Sequence, residues 1–117
     1  MVLIPTLSKI AQQVEHTLSV AVFNLDGLTI EAVDGAGHRT PADPEAYANI
    51  LEQLMGATDA LGIGALEELT VDGDQGTTLV RRLSNRYLVA LRVGPEAIVG
   101  KARLALRVAA PDLARVL

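Results

Sequence analysis

The chain has 117 residues, a formal charge of −4, three aromatics and no cysteine; half of its residues are hydrophobic and its mean hydropathy is +0.31. Without cysteine, disulfides, iron-sulfur clusters, thiolate zinc sites and cysteine nucleophiles are excluded, which leaves His16, His38 and carboxylates for any metal chemistry. The negative charge and the scarcity of aromatic stacking platforms argue against a nucleic-acid partner.

The length fits one domain, residues 1–117, able to bury roughly two-thirds of the surface its unfolded chain exposes. The N-terminus has an apolar start but no basic segment and no signal-type apolar region before Pro5, and no later run approaches the roughly 18 apolar residues of a spanning helix. The expectation is a soluble, cytoplasmic protein with no membrane partner. Charge is unevenly placed: Asp43 to Asp74 holds eight acids and no Lys or Arg, whereas Gln75 to Leu117 holds eight bases and two acids. That asymmetry points to charge-guided protein contacts, and the apolar surplus to surface that faces a partner.

Leu7, Ile10, Ala11 and Val14 recur at helical spacing, so the first element is an amphipathic helix over residues 5–16. The β-rich run "SVAVFNL" and the alternating "LTIEAV" flank Asp26-Gly27, a hairpin signal with a type I′ turn. No base, nucleophile or metal-ligand set accompanies Asp26, which is read as a turn residue. "DGAGHRTPAD" is a polar loop. Asp43 then reads as an N-cap and Pro44 as the first residue of a second helix, running to about Leu61 and stopped near Gly62. Three β runs follow, Leu66 to Asp72, Thr77 to Leu83 and Tyr87 to Val93, joined as a meander by "GDQG" and "SNR". Gly94-Pro95 opens a third helix, which Pro111 is expected to end or kink.

Helix, two strands, helix, three strands, helix implies an α+β fold in which a five-stranded antiparallel sheet has helices on both faces. If the hairpin and meander meet through their first and last strands, Leu66 to Asp72 lies at a sheet edge, where unpaired backbone invites another strand. Along residues 46–61, Ala46, Tyr47, Ala48, Ile50, Leu51, Leu54, Met55, Ala57 and Leu61 fill a wide apolar arc, with Asn49, Glu52, Gln53 and Asp59 on the remainder. One sheet face needs a narrower stripe, so the surplus implies a second covered surface. Ile50, Leu51, Leu54 and Met55 would meet a neighbouring chain, beside strand residues Leu66, Leu69 and Val71. Gly56 marks a close backbone approach or nothing.

Several catalytic patterns fail on inspection. "GIGALEEL" follows a helix, enters a strand and lacks the Lys-Ser/Thr of a phosphate loop. "DGDQG" lacks the remaining ligands of a calcium loop. His16 and His38 lie on separate segments, and Ser8, Ser19 and Ser84 sit in no nucleophile elbow. The basic residues Arg81, Arg82, Arg86, Arg92, Lys101, Arg103 and Arg107 read as solvated faces, with an Arg presented from the "SNR" turn as an alternative contact for a partner's phosphate or carboxylate.

Taken together, "SVAVFNLDGLTIEAV", "PEAYANILEQLMGATDALG", "LEELTVDGDQGTTLVRRLSNRYLVALRV" and "AIVGKARLALRVAAPDL" resemble the Roadblock/LC7 family over about nine-tenths of the chain. The resemblance implies a longin- or profilin-like fold and a homo- or heterodimer in which third strands pair across a two-fold axis and second helices pack together. It also implies a non-enzymatic regulatory role, without cofactor, toward a small Ras-like GTPase of the gliding-protein type, with Asn49, Glu52, Gln53 and Asp59 as candidate GTPase contacts. The alternative is a structural adaptor that binds irrespective of nucleotide state. A sheet-lined ligand sensor is the weaker third reading.

Overall fold

The computed structural model describes residues 3–41 and 44–117, with the side chains of 44–48 and 50 outside the described set. The expected Asp43 cap and the Ala46, Tyr47, Ala48 and Ile50 part of the apolar arc therefore fall outside the described residues. The elements run α1 (Leu3–Gln13), β1 (Thr17–Asn24), β2 (Thr29–Asp34), α2 (Pro44–Ala60), β3 (Glu68–Gly73), β4 (Gly76–Arg82), β5 (Tyr87–Val93) and α3 (Val99–Arg115). The five strands form one sheet in the order β2-β1-β5-β4-β3, every pair antiparallel. Element order and fold class are as the sequence leads one to expect. The hairpin and the meander meet through β1 and β5, which leaves β2 and β3 outermost.

The two central strands are apolar on both faces because both faces are covered. On one side, Leu3, Leu7 and Ile10 of α1 and Ala102, Leu106 and Leu113 of α3 pack on Val20, Val22, Leu79, Val89 and Leu91. On the other, Leu51 of α2 packs on Phe23, Val80, Leu88 and Ala90, with Leu66 and Leu69 against them. Alternation along β3 assigns its side chains to these layers. Leu69 and Val71 share the α2 face with Val80 and Thr78, while Glu68, Thr70 and Asp72 share the α3 face with Arg81, Leu79 and Thr77.

The Asp26-Gly27 connection is a turn, but not of type I′. Gly27 has φ 85°, whereas among the described non-glycine residues only His16 has positive φ. Gly27 N–H bonds to Asn24 O (3.0 Å) and Asn24 N–H to Leu28 O (2.9 Å), a three-residue loop whose last residue is left-handed. Asn24 fixes it, since its Oδ1 accepts from the Asp26 and Leu28 amides, both at 3.0 Å. Beyond this loop the β1–β2 register shifts between Val22 and Phe23, where Ile30 is the extra residue, and Leu28 lies outside the strand and exposed. The same device recurs ten residues on. Asp34 Oδ1 accepts from the Ala36 and His38 amides, both at 3.0 Å, and Gly37 has φ 86°. These bonds hold the Asp34 carboxyl below its usual range, the His38 amide contributing most.

That second turn folds part of the expected loop back as a strap. Arg39 bridges to Val33, Thr40 N–H bonds to Ala32 O (3.0 Å), and Arg39 Nη2 reaches Glu31 Oε2 (2.9 Å). The outer side of β2 is thus partly covered. No such strap is present at β3 among the described residues.

Helix α1 runs from Leu3 to Gln13 and not over 5–16, and both ends of α3 also differ from expectation. First, α3 begins at Val99 and not at Gly94-Pro95, because Gly94 N–H bonds to His16 O (2.8 Å) and residues 94–97 form a turn closed by Ala97 N–H to Gly94 O (3.1 Å). Second, Pro111 does not end the helix, which continues to Arg115. Pro111 sits on the exposed side, so the Arg107 carbonyl it leaves unbonded faces water, while buried Ala110 and Leu113 hold the last turn on the core.

Candidate functional site

The open edge of β3 and the adjoining surface of α2 form the most distinctive surface of the molecule. Glu67 O accepts from Arg82 N–H at 2.8 Å, just beyond the start of the β3–β4 ladder. Bonded pairs alternate in an antiparallel ladder, so Leu69 and Val71 turn their backbone groups toward β4. Glu68, Thr70 and Asp72 turn theirs outward, with no strand beyond. Val71 is 47% exposed, and Thr70 and Asp72 are exposed as well.

Along α2, Leu51 is only 2% exposed and spends its side chain on the sheet. Leu54, Ala57 and Thr58 are half-buried around it, and Met55 is 40% exposed. Asn49, Glu52, Gln53, Gly56 and Asp59 all face outward. The sequence-derived candidates on the polar arc therefore lie together on one exposed strip, two of them acidic. A Cβ added at Gly56 would meet nothing within 4 Å, so no contact within the chain demands glycine there.

Helix α2 stops as its glycine suggests. Gly62 has φ 70°, its N–H bonds to Asp59 O (3.0 Å), and Ile63 N–H bonds to Thr58 O (3.1 Å), the paired bonds of a Schellman motif. This stop leaves Leu61 and Ile63 exposed at 73% and 70%, an apolar pair of which helical periodicity accounts for Leu61 alone. Between this end of α2 and the β1–β2 and β4–β5 turns lies a groove of roughly 350 Å³, lined among others by Leu25, Met55, Gly56, Asp59, Arg82 and Leu88. Arg82 is held there by its Nε bond to Ser84 O (2.9 Å). Arg86, the expected partner-facing arginine of the "SNR" turn, is exposed but does not line the groove. The strand register could have singled out Arg82, since it falls on the α2 face.

On the opposite side of β3, Glu68 anchors three guanidiniums. Arg107 Nη2 lies 2.8 Å from Oε2 and Arg107 Nε 3.1 Å from Oε1, Arg81 Nη1 is 3.3 Å away, and Arg103 Nε 3.7 Å. The Arg107 hydrogen bonds, ahead of the charges of all three arginines, hold the Glu68 carboxyl below its ordinary range despite desolvation. Arg103 Nη2 reaches on to Thr70 Oγ1 at 3.2 Å. In the sequence these arginines read only as solvated faces, because the contacts span as many as 39 positions.

Among the described residues no group of three or more His, Asp or Glu is placed to hold a metal ion. His16 and His38 sit in separate turns, where their backbones bond to Gly94 and Asp34. The "DGDQG" segment is a two-residue turn between paired Gly73 and Gly76, with Thr77 Oγ1 bonded to Asp72 Oδ1 at 2.5 Å. Gly76 is obligatory there: its φ is 145°, and a Cβ would stand 2.4 Å from Val93 O. No described helix is long and apolar enough to cross a membrane.

No family profile matches the chain, and no curated relative does. Solved structures do. MglC of Myxococcus xanthus is 29% identical over 97% of each chain, with a TM-score of 0.72. The gliding protein MglB of Thermus thermophilus has a TM-score of 0.80 at 19% identity, over 97% of this chain and 86% of that one. A Roadblock/LC7 domain from Streptomyces avermitilis has a TM-score of 0.76 at 18% identity, over 97% and 96%. At the level of fold alone, profilin IA of Acanthamoeba castellanii also matches, with a TM-score of 0.60 at 11% identity over 97% and 96%. The shared architecture, the element order and the identity to MglC along nearly the whole of both chains support the resemblance to the Roadblock/LC7 family drawn from the sequence.

Proposed function

We propose that the chain is a homodimeric regulatory module, residues 1–117 forming a single domain, which binds a small Ras-like GTPase and alters its nucleotide hydrolysis or exchange. The observation that carries this reading is the uncovered β3 edge lying beside the exposed acidic strip of α2. A second copy pairing along β3 would bury Val71 and draw Leu66, Leu69 and the Leu54 and Met55 flanks of α2 toward a common seam. Leu51 supports that seam from beneath, since among the described residues of α2 it is the one buried on the sheet. Two copies of α2 side by side would then offer Asn49, Glu52, Gln53 and Asp59 twice, as a platform for the GTPase. The similarity to MglC and to a gliding protein supports a regulatory role of this type.

The module carries no reaction of its own in this reading. It acts by binding one nucleotide state of the GTPase more tightly than the other, and it shifts the switch-region populations by that difference. The test mixes the purified chain with a Ras-like GTPase encoded beside it, loaded with GDP or with a non-hydrolysable GTP analogue. State-dependent binding, a changed turnover rate, and loss of both in Glu52→Lys/Asp59→Lys are expected. Equal binding to both states with unchanged turnover would overturn the regulatory reading in favour of an adaptor.

A further inference from the structure

Arg82 differs from the other cations of the chain. Arg39, Arg81, Arg103, Arg107 and Arg115 each meet a carboxylate, and Arg86 and Arg92 are exposed. Arg82 alone among the described arginines is half-buried and forms no ion pair with a described carboxylate. It lies opposite Leu88 in the β4–β5 ladder, two positions past buried Val80, so its side chain leaves the sheet on the α2 side, beside the small core layer. A guanidinium kept partly out of water without a counter-ion is a place where an anion gains.

Its orientation is fixed from behind. Nε donates to Ser84 O at 2.9 Å, which leaves both terminal nitrogens without a partner among the described residues. Ser84 is itself held, its hydroxyl accepting from the amides of Arg86 (3.2 Å) and Tyr87 (3.3 Å). A preordered fork of two N–H donors fits the two oxygens of a carboxylate.

The groove that Arg82 lines adds three further demands on an occupant. Leu25, Met55, Leu66 and Leu88 give it an apolar wall. Gly56 leaves its α2 side without a side chain, and nothing stands within 4 Å of where a Cβ would be. Asp59 and Asn85 line it as well, and Asp59 forms no ion pair with Arg82. The occupant must bring a carboxylate for Arg82, an aliphatic group for the leucines and an N–H donor for Asp59. A fatty acid supplies the first two and nothing for Asp59. An internal stretch of polypeptide has no main-chain carboxylate. The last residue of a polypeptide, when it is Leu, Ile, Val or Met, carries all three on adjacent atoms.

We propose that this groove binds the C-terminal residue of a partner polypeptide that ends in a large aliphatic side chain, with its α-carboxylate on Arg82 and its main-chain N–H on Asp59. The volume of roughly 350 Å³ is at the small end of ligand sites, about 300–1,000 Å³, and suits a chain end. The site is built within one chain and needs neither a second copy nor a GTPase, so it stands or falls apart from the regulatory reading above.

Titration of the isotope-labelled wild-type protein with acetyl-Gly-Gly-Leu acid, followed by NMR, reads the site directly. Saturable shifts are expected at the Gly56 and Asn85 amides and at the Arg82 Nε–H. The C-terminal amide of the same peptide, which lacks the charge, should bind at least about tenfold more weakly. Acetyl-Gly-Gly-Gly acid, which lacks the aliphatic group, should lose about as much. Absence of saturable shifts at these positions overturns the site. Equal binding of acid and amide overturns the role of Arg82, and octanoate binding as tightly as the peptide acid overturns the assignment to a chain end.

Two variants place the occupant. Arg82→Gln should lose the preference for acid over amide, and Arg82→Lys should keep part of it. Gly56→Leu, whose side chain would enter the open side of the groove, should abolish binding while the spectrum away from the groove stays unchanged. If Arg82→Gln fails to fold, Gly56→Leu decides alone: a folded Gly56→Leu that binds the acid as the wild type does overturns the placement.

Discussion

Replacing Val71 by Arg separates the stability of one chain from the association of two. Val71 is 47% exposed in the isolated chain and shares its face with Leu69. Fully burying a valine side chain contributes about 1.5–3 kcal/mol, so covering the exposed half contributes roughly 0.7–1.5 kcal/mol per copy. A two-fold seam counts that twice, about 1.5–3 kcal/mol in all, which corresponds to a ten- to hundredfold rise in Kd before the cost of desolvating a guanidinium is added. The fold of the single chain should shift by no more than about 0.5 kcal/mol, since the site is already half in water. Sedimentation equilibrium over a dilution series reads association, and urea denaturation at the most dilute point reads the chain alone. A Kd unchanged within about threefold, with normal denaturation, would refute the burial of Val71 at a partner. A collapse of the dilute-chain stability would refute the separation between edge and core.

Other perturbations test other parts of the account. Leu51→Ala should destabilise the folded chain by about 2–5 kcal/mol in chemical denaturation, because Leu51 is fully buried between α2 and the sheet in a small core layer. Gly56→Ala should raise the stability of the dilute chain by about 0.5–1 kcal/mol, since the added methyl meets open space. It should weaken GTPase binding if the outer strip of α2 is the platform. Glu68 has a folded-state pKa below its unfolded value, so the stability it contributes is full above the ordinary glutamate range and is lost as pH falls through the lowered value. Acid titration of stability should therefore be shallower in Glu68→Gln than in the wild type below about pH 5.

What can be read from the sequence is mostly what local pattern controls. Helical spacing in α1, the meander of β3, β4 and β5 and the glycine stop of α2 all depend on residues close in the chain, and all are legible. The edge position of β3 follows from topology alone. Expectations fail where a distant group overrides a local signal. Gly94-Pro95 has the look of a helix start, but a bond from Gly94 to His16 extends the end of β5 instead. Pro111 has the look of a helix stop, but the burial of Leu113 holds the following turn in place. The hairpin turn departs from type I′ because Asn24, outside the Asp-Gly pair, accepts the amides that define the loop. Glu68 and its arginines join β3 to β4 and α3, a juxtaposition no periodicity encodes.

Amide exchange at β3 tests most directly the claim that a second copy covers this edge. Leu69 and Val71 point their N–H groups at β4 and should exchange slowly at every protein concentration, which makes them internal controls. Thr70 points outward, and its amide should exchange slowly in concentrated protein and quickly on dilution below the dimer Kd. A Thr70 amide that exchanges fast at all concentrations, beside protected Leu69 and Val71, would contradict the account.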